Sequence, residues 1–185
     1  MNARERFYAH LVILTLSALA LSCGAMSKAN RLVTEGNSAV KEGEKYYEQA
    51  DAKAGELYDA LDGFPGNRDQ LKDKAQEILD LLDKGSAKLR EGAAKFEEGS
   101  KTDIDAQLKE YLSLKAQEFN KRADRLEVEK EIPKAVMDNS VEDKEALRAK
   151  FIAKQERVTQ LKKEWSELEE RANKIYEANK DKIKS

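Results

Sequence analysis

The chain has 185 residues, of which 38% are charged and only 6% aromatic, with two prolines and a formal net charge of −2. This length indicates one domain, and the composition favours long helices with narrow apolar seams over a mixed fold with a thick core. The near balance of charge, with a pI of about 5.7, argues against a nucleic-acid binder, which normally carries a clustered basic face.

The first stretch of the chain has the layout of a secretory signal. Arg4 and Arg6 precede an apolar run over residues 11–21, and small residues follow at 22–24. These parts correspond to the charged region, the hydrophobic region and the processing site of an export signal. The run is about half of the ~20 residues that a transmembrane helix needs. We therefore expect residues 1–22 to be a signal peptide.

The end of the apolar run resembles the lipobox of bacterial lipoproteins. Ala20-Leu21-Ser22-Cys23 places the only cysteine of the chain directly after the run. In lipoproteins this cysteine becomes the first mature residue and its thiol is lipidated. The resemblance therefore implies that Cys23 is lipidated and that membrane lipid is its partner. Several acyl chains on this residue would anchor the protein firmly to a membrane, since each buried methylene contributes about 0.8 kcal/mol. The alternatives are an ordinary signal peptide with a spare cysteine, and a buried core helix.

The residues after Cys23 bear on location and domain layout. If the host is Gram-negative, Gly24 after the cysteine resembles the pattern sorted to the outer membrane, with the protein facing the periplasm. Residues 23–30 are expected to be the lipidated N-terminus and a short tether, with Ser27 as a helix N-cap. Residues 31–185 are expected to form a helical bundle domain.

Two long helices are predicted for the first half of that domain. Apolar and small residues recur at seven-residue spacing over about 31–61 and again over about 69–99, the a/d pattern of helices that pack lengthwise. Between them, residues 62–67 contain Pro65 and two glycines, and the glycines are expected to supply positive φ. The two helices are thus predicted to form an antiparallel hairpin that reverses at Phe64.

Glycines in these seams are predicted to be helix-packing residues, and they are Gly36, Gly43, Gly85, Gly92 and Gly99. Each glycine costs about 1 kcal/mol relative to alanine in a helix interior, so the regular spacing needs a compensating interaction. The hairpin register places Gly36 opposite Gly92. The same register places Gly43 opposite Gly85. Facing glycines let two backbones approach below the usual interaxial distance and recover dispersion energy. A hinge, or a groove for a partner helix, is the alternative.

A third helix is predicted over about 103–131, where an apolar stripe recurs at spacings of three and four. Thr102 is the expected N-cap, and Pro133 is expected to stop the helix. The segment 133–142 is expected to be irregular and to cover the end of the bundle.

The last helix is predicted over about 141–182, with Ser140 and Asp143 as a variant capping box. Its expected a/d seam consists of Leu147, Phe151, Val158, Leu161, Trp165, Leu168, Ala172 and Ile175. Lys154 is the one polar residue in that row. The predicted fold is all-α, an antiparallel four-helix bundle of long hairpins with coiled-coil-like seams.

Enzymatic activity is not expected from these residues. The only histidine, His10, lies in the predicted signal, and Cys23 is expected to be lipidated. A Cys/His zinc site, a di-iron site built on Glu-x-x-His pairs and a serine nucleophile with a histidine base therefore all lack a required residue. We expect no catalytic residue, no metal, no cofactor and no nucleic-acid partner.

Two functions then compete for the predicted bundle. The first is a membrane-anchored envelope lipoprotein that acts as a structural or adaptor module with an envelope protein as its partner. The second is a periplasmic ligand- or client-binding bundle with a hydrophobic slot between its helices. A long envelope spacer similar to the major outer-membrane lipoprotein is a third alternative. The seams leave open whether the bundle closes within one chain or in a homodimer.

Overall fold

The computed structural model describes residues 24–138 and 140–183, with side chains through residue 179. Cys23 and the predicted signal over 1–22 lie outside the described residues. Within the described part the chain is about 90% helical and contains no strand, which confirms the all-α, bundle-like class. The elements are α1 (Gly24–Ala60), a 3-10 turn (Leu61–Gly63), α2 (Arg68–Ser100), α3 (Ala106–Glu129), α4 (Glu131–Met137) and α5 (Lys144–Ile183).

The four long helices pack in chain order. α1 lies along α2, α2 along α3, and α3 along α5, while the short α4 packs on α2 and contacts α5. The neighbours run antiparallel: Ser86 of α2 bonds Glu127 of α3, whereas Arg90, one turn later, pairs with Asp124, one turn earlier. α2 therefore lies at the centre, with α1 on one side and α3 and α4 on the other.

The apolar core lies where α3 meets the α1–α2 hairpin. The ring of Phe96, only 2% exposed, lies 5.3 Å from the ring of Phe119 on α3 and also covers Gly36 on α1. Leu126 of α3 reaches Gly85 of α2 in the same way. Large side chains of α3 thus fill the groove that small residues leave on the hairpin.

The N-terminal segment differs from the expected tether. Gly24, the first described residue, already lies in α1, so residues 24–30 are helical and Ser27 lies inside the helix rather than at an N-cap. The physical reason is that Ala29 is buried and lies one heptad before Gly36. The row of small residues that packs on α2 therefore starts a heptad earlier than predicted.

The reversal between α1 and α2 does not use left-handed glycine. None of the glycines in the described chain has positive φ, so the expectation for residues 62–67 is wrong. Instead Asn67 closes the turn: its side-chain amide donates to the Ala60 carbonyl at 2.7 Å, and its backbone N–H donates to Gly63 at 3.2 Å. Phe64 is buried at this end of the core.

The cap of α3 is Asp105, not Thr102. The Asp105 carboxylate accepts from the Gln107 N–H at 2.9 Å, and α3 begins at Ala106 rather than near residue 103. Thr102 donates instead to the Gly99 carbonyl at 2.7 Å. It therefore completes the end of α2, because the last carbonyls of a helix have no partner within the helix.

The segment 133–142, expected to be irregular, is helical over 133–137 and irregular over 140–142. α3 ends at Glu129, and α4 then carries Pro133 in its first turn, where a proline removes no helical hydrogen bond. Because a proline clashes with the carbonyl four residues earlier, which here is that of Glu129, Pro133 is a physical reason for α3 to end where it does. At the start of α5, Asp143 accepts from the Ala146 N–H at 2.8 Å. Asp143 alone caps that helix, while the Ser140 N–H donates to Asp138.

Candidate functional site: a charged seam between α1, α3 and α5

One face of α3 carries charged residues into the interior. They recur at spacings of three and four, which places them in one row along the helix, and they are Lys115, Glu118, Arg122, Arg125 and Glu129. All five side chains are no more than 23% exposed. We name this row, together with its partners on α1 and α5, the charged seam. The neighbouring row of α3, which includes Phe119 and Leu126, is apolar and packs on α2.

The first part of the charged seam centres on a fully buried carboxylate. Glu118 is 0% exposed and pairs with Lys115 on one side and with Arg122, at 2.6 Å, on the other. Arg122 also reaches Glu44 of α1 at 3.0 Å and Glu169 of α5 at 3.8 Å. One guanidinium therefore joins three carboxylates from three helices. Burial raises the pKa of Glu44, although the Arg122 charge opposes that rise.

The middle of the charged seam is a stacked arginine. The Arg125 guanidinium lies 4.4 Å from the ring centroid of Tyr47 on α1 and 5.7 Å from that of Trp165 on α5. It also donates to the Tyr47 hydroxyl and to Glu129. Burial raises the pKa of Tyr47, so the phenol stays neutral as a hydrogen-bond partner. Cation–π contacts of this kind strengthen when the cation is desolvated.

The last part of the charged seam is a buried lysine contributed by α5. Lys154 is 2% exposed, and its Nζ lies 2.7 Å from Glu129 and 3.0 Å from the Tyr58 hydroxyl. The rings of Tyr58 and Phe151 lie 5.4 and 5.0 Å from the same nitrogen. Burial by itself lowers the pKa of Lys154, but the Glu129 charge and the Tyr58 hydroxyl outweigh it and hold that pKa above its ordinary value.

This arrangement is suited to specifying how helices align. Every cation of the charged seam has an anionic partner, so no isolated charge is held ready for a reaction. Buried ion pairs contribute little net stability but penalise any arrangement that separates them, and a polar residue in an apolar row fixes register in coiled coils. The charged seam therefore ties α5 to one alignment against α3 and α1.

The surface also carries two open depressions of about 390 Å³ each. One lies between α3 and α5 and is lined by Asp124, Glu127, Val128, Arg157, Gln160 and Leu161. The other lies along α5 and is lined by Ser166, Glu169, Glu170, Asn173, Lys174 and Glu177. Both are open to solvent, whereas the hydrophobic slot expected of a ligand-binding bundle is enclosed between helices. In the described chain no group of three or more histidine, cysteine, aspartate or glutamate side chains could hold a metal ion.

The predicted glycines lie at the contact between α1 and α2, and Gly43 precedes Tyr47 of the charged seam by one helical turn. A methyl group at Gly36 would lie 3.3 Å from the Gly92 carbonyl oxygen, and one at Gly43 would lie 3.0 Å from that of Gly85. These are the two pairs expected from the antiparallel register. Gly99 packs instead on Leu112 of α3, 3.2 Å from such a methyl. The structure thus brings four of the glycines together in facing pairs and leaves the fifth apart.

Among the charged residues of the charged seam, sequence reasoning singled out only Lys154, as a polar residue in the row of α5. The five charged residues of α3 were not singled out, because charges at helical spacing usually mark a solvent-exposed face. The sequence did contain a signal: α3 has an apolar row and a charged row, both at helical spacing, and a helix with neighbours on two sides can bury both.

No protein-family model matches the chain, and neither a curated protein nor a solved structure matches it.

Proposed function

We propose that this chain is an exported, lipid-anchored protein of the bacterial cell envelope whose helical bundle acts as a structural or protein-interaction module. The observation that carries the proposal is the position of Cys23, directly after a signal-like apolar run and directly before a folded domain. A lone cysteine in an exported chain otherwise needs a separate explanation. If the host is Gram-negative, the anchor lies in the outer membrane and the bundle faces the periplasm.

The residues directly after Cys23 support an attachment close to the bundle. Gly24 already lies in α1, so a lipid on Cys23 would be next to the first described helix. The bundle end that holds the start of α1, the α2–α3 connection and the end of α5 would then lie next to the membrane. At 1.5 Å per residue, a helix of this length projects about 55 Å away from it. Within the described residues, no helix is both long and apolar enough to cross a membrane.

The surface composition supports interaction rather than catalysis or ligand storage. Ile152 is the one large hydrophobic residue exposed in the described part of the chain, and ion pairs such as Lys53–Glu77 and Lys74–Glu56 cover the α1–α2 hairpin. A long, rigid and polar face fits a partner that binds through charge complementarity, which contributes specificity more than raw affinity.

Detergent phase separation of cells that express the full chain tests the anchor. The wild-type protein should partition into the detergent phase, and Cys23→Ala should move to the aqueous phase or stay unprocessed. Ser22→Ala is the matched control, because it keeps a small residue before the cysteine. If wild type and Cys23→Ala partition alike, the chain carries an ordinary signal peptide or none.

Cross-linking in intact cells followed by purification from membranes separates the two functions of the bundle. A stoichiometric envelope protein bound to the chain supports the interaction module. A co-purifying small molecule without a protein partner supports the ligand-binding alternative instead.

A further inference from the structure

α5 has a narrower and more polar contact with the bundle than the other long helices. It is 40 residues long, yet through residue 179 only Leu147, Lys154, Trp165 and Ala172 are buried, and one of these is charged. α2 has 33 residues and buries eleven. The apolar residues Val158, Leu161, Leu168 and Ile175, predicted to fill the α5 seam, remain partly exposed.

Ion pairs supply much of what holds α5 in place. They join it to α3, α4 and the turn after α1, and they include Lys144–Asp62, Lys154–Glu129, Arg157–Glu131, Lys121–Glu164 and Arg171–Glu110. Most of these charges lie at the surface, where single pairs contribute little and salt screens them. The attachment of α5 is therefore expected to weaken as salt rises.

The other three long helices are held differently. Facing glycines bring α1 and α2 close, and Phe96 with Phe119 fills the space between α2 and α3. Separating these helices would expose apolar surface at a cost that salt does not reduce. Separating α5 would also expose apolar side chains such as Leu147 and Trp165, but it would rehydrate Arg122, Arg125 and Glu129. That rehydration recovers part of the desolvation cost of burying these charges.

We propose that α5 is a latch: it separates from α3 as one helix and returns, while α1, α2 and α3 stay packed. Opening uncovers the charged seam along α3 and α1. The proposal goes beyond the envelope function and does not depend on it, since it concerns only how the bundle opens. It also gives the charged seam a role. Because its charges can pair again only in one alignment, they bring α5 back to the same position each time it closes.

Hydrogen exchange of the whole purified protein in detergent micelles, read by mass spectrometry, tests the latch. Most helical stability in a protein comes from tertiary packing, so the α5 amides should lose protection when α5 separates. They should then exchange together, at least about tenfold faster than those of α2, as expected for a sub-global opening. Raising the salt from about 0.05 to about 0.5 M, where the Debye length falls to a few ångströms, should increase the ratio of the α5 exchange rate to the α2 exchange rate. Equal protection of α5 and α2, or no response to salt, overturns the proposal.

Charge reversal gives a second test that does not depend on salt. Glu164→Lys puts a like charge beside Lys121 and should speed exchange in α5 by about two- to fivefold, the range of an exposed ion pair, with α2 unchanged. The swapped pair Lys121→Glu/Glu164→Lys should restore the wild-type rate. Glu77→Lys, which places a like charge beside Lys53 on the hairpin, is the control. It should leave the ratio of the α5 exchange rate to the α2 exchange rate unchanged or lower it. Equal acceleration of both helices by Glu164→Lys means that α5 opens only with the whole bundle.

Discussion

Replacing Gly43 by alanine tests the close approach of α1 and α2, and Gly55 on the same helix is its matched control. A methyl group at Gly55 meets nothing within 4 Å, so Gly55→Ala should stabilise the protein by about 1 kcal/mol through helix propensity alone. A methyl at Gly43 would lie 3.0 Å from the Gly85 carbonyl oxygen and 3.1 Å from both the backbone nitrogen and Cγ of Leu89. Two of these atoms belong to the backbone of α2, so relief requires the helices to move apart.

The expected size of the effect follows from those contacts. Overpacking a well-packed interior costs about 1–3 kcal/mol, and the same propensity gain of about 1 kcal/mol offsets it. Gly43→Ala should therefore be about 1–3 kcal/mol less stable than Gly55→Ala, or roughly 2–10 °C in melting temperature for a chain of this size. Urea unfolding followed by circular dichroism measures both variants. If Gly43→Ala is as stable as Gly55→Ala, the glycines do not set the distance between the helices.

Three further changes probe the core, the α5 cap and the charged seam. Phe96→Ala should cost about 3–5 kcal/mol in urea unfolding, because it leaves a cavity against Phe119; a loss below about 1 kcal/mol would contradict that packing. Asp143→Ala should cost about 1 kcal/mol in thermal unfolding, whereas Ser140→Ala should change stability by less than about 0.5 kcal/mol, and the reverse order would restore Ser140 as the cap. Lys154 has a raised pKa, so its stabilisation is complete below about pH 10.4 and is lost as pH rises through the folded-state pKa. The free energy of unfolding of wild type should thus fall relative to that of Lys154→Met only above that pH. If the difference between the two stays constant up to about pH 11.5, the charged Lys154 does not stabilise the fold.

The hairpin of α1 and α2 was predictable because its row of glycines and its row of apolar residues independently indicated the same antiparallel register. Glycines and apolar residues at seven-residue spacing paired in one antiparallel register, and the structure has Gly36 beside Gly92 and Gly43 beside Gly85. The start of α1 was missed because Ala29 is small and gives a weak apolar signal, although it occupies the same row.

The helix ends were harder to predict, because neighbouring residues compete for one cap. Thr102 and Asp105 can both cap a helix, as can Ser140 and Asp143, and local spacing does not decide between them. The structure decides in favour of Asp105 and Asp143, and Thr102 instead bonds the last turn of α2.

The charged seam could not be read from the chain because its residues are individually typical of a solvated surface. Only the neighbours of α3 on both sides make Glu118 a buried carboxylate. Those neighbours are a property of the tertiary arrangement. Lys154 was noticeable because it interrupts an apolar row, whereas the α3 charges form a row of their own.

Mass spectrometry of the mature N-terminus, purified from membranes of the native host, tests the proposed anchor most directly. The expected N-terminal peptide begins at Cys23 and carries the added mass of acyl chains on that residue. A peptide that begins at Met1, or one in which Cys23 is present without lipid, would contradict the proposal that this bundle is tethered to an envelope membrane.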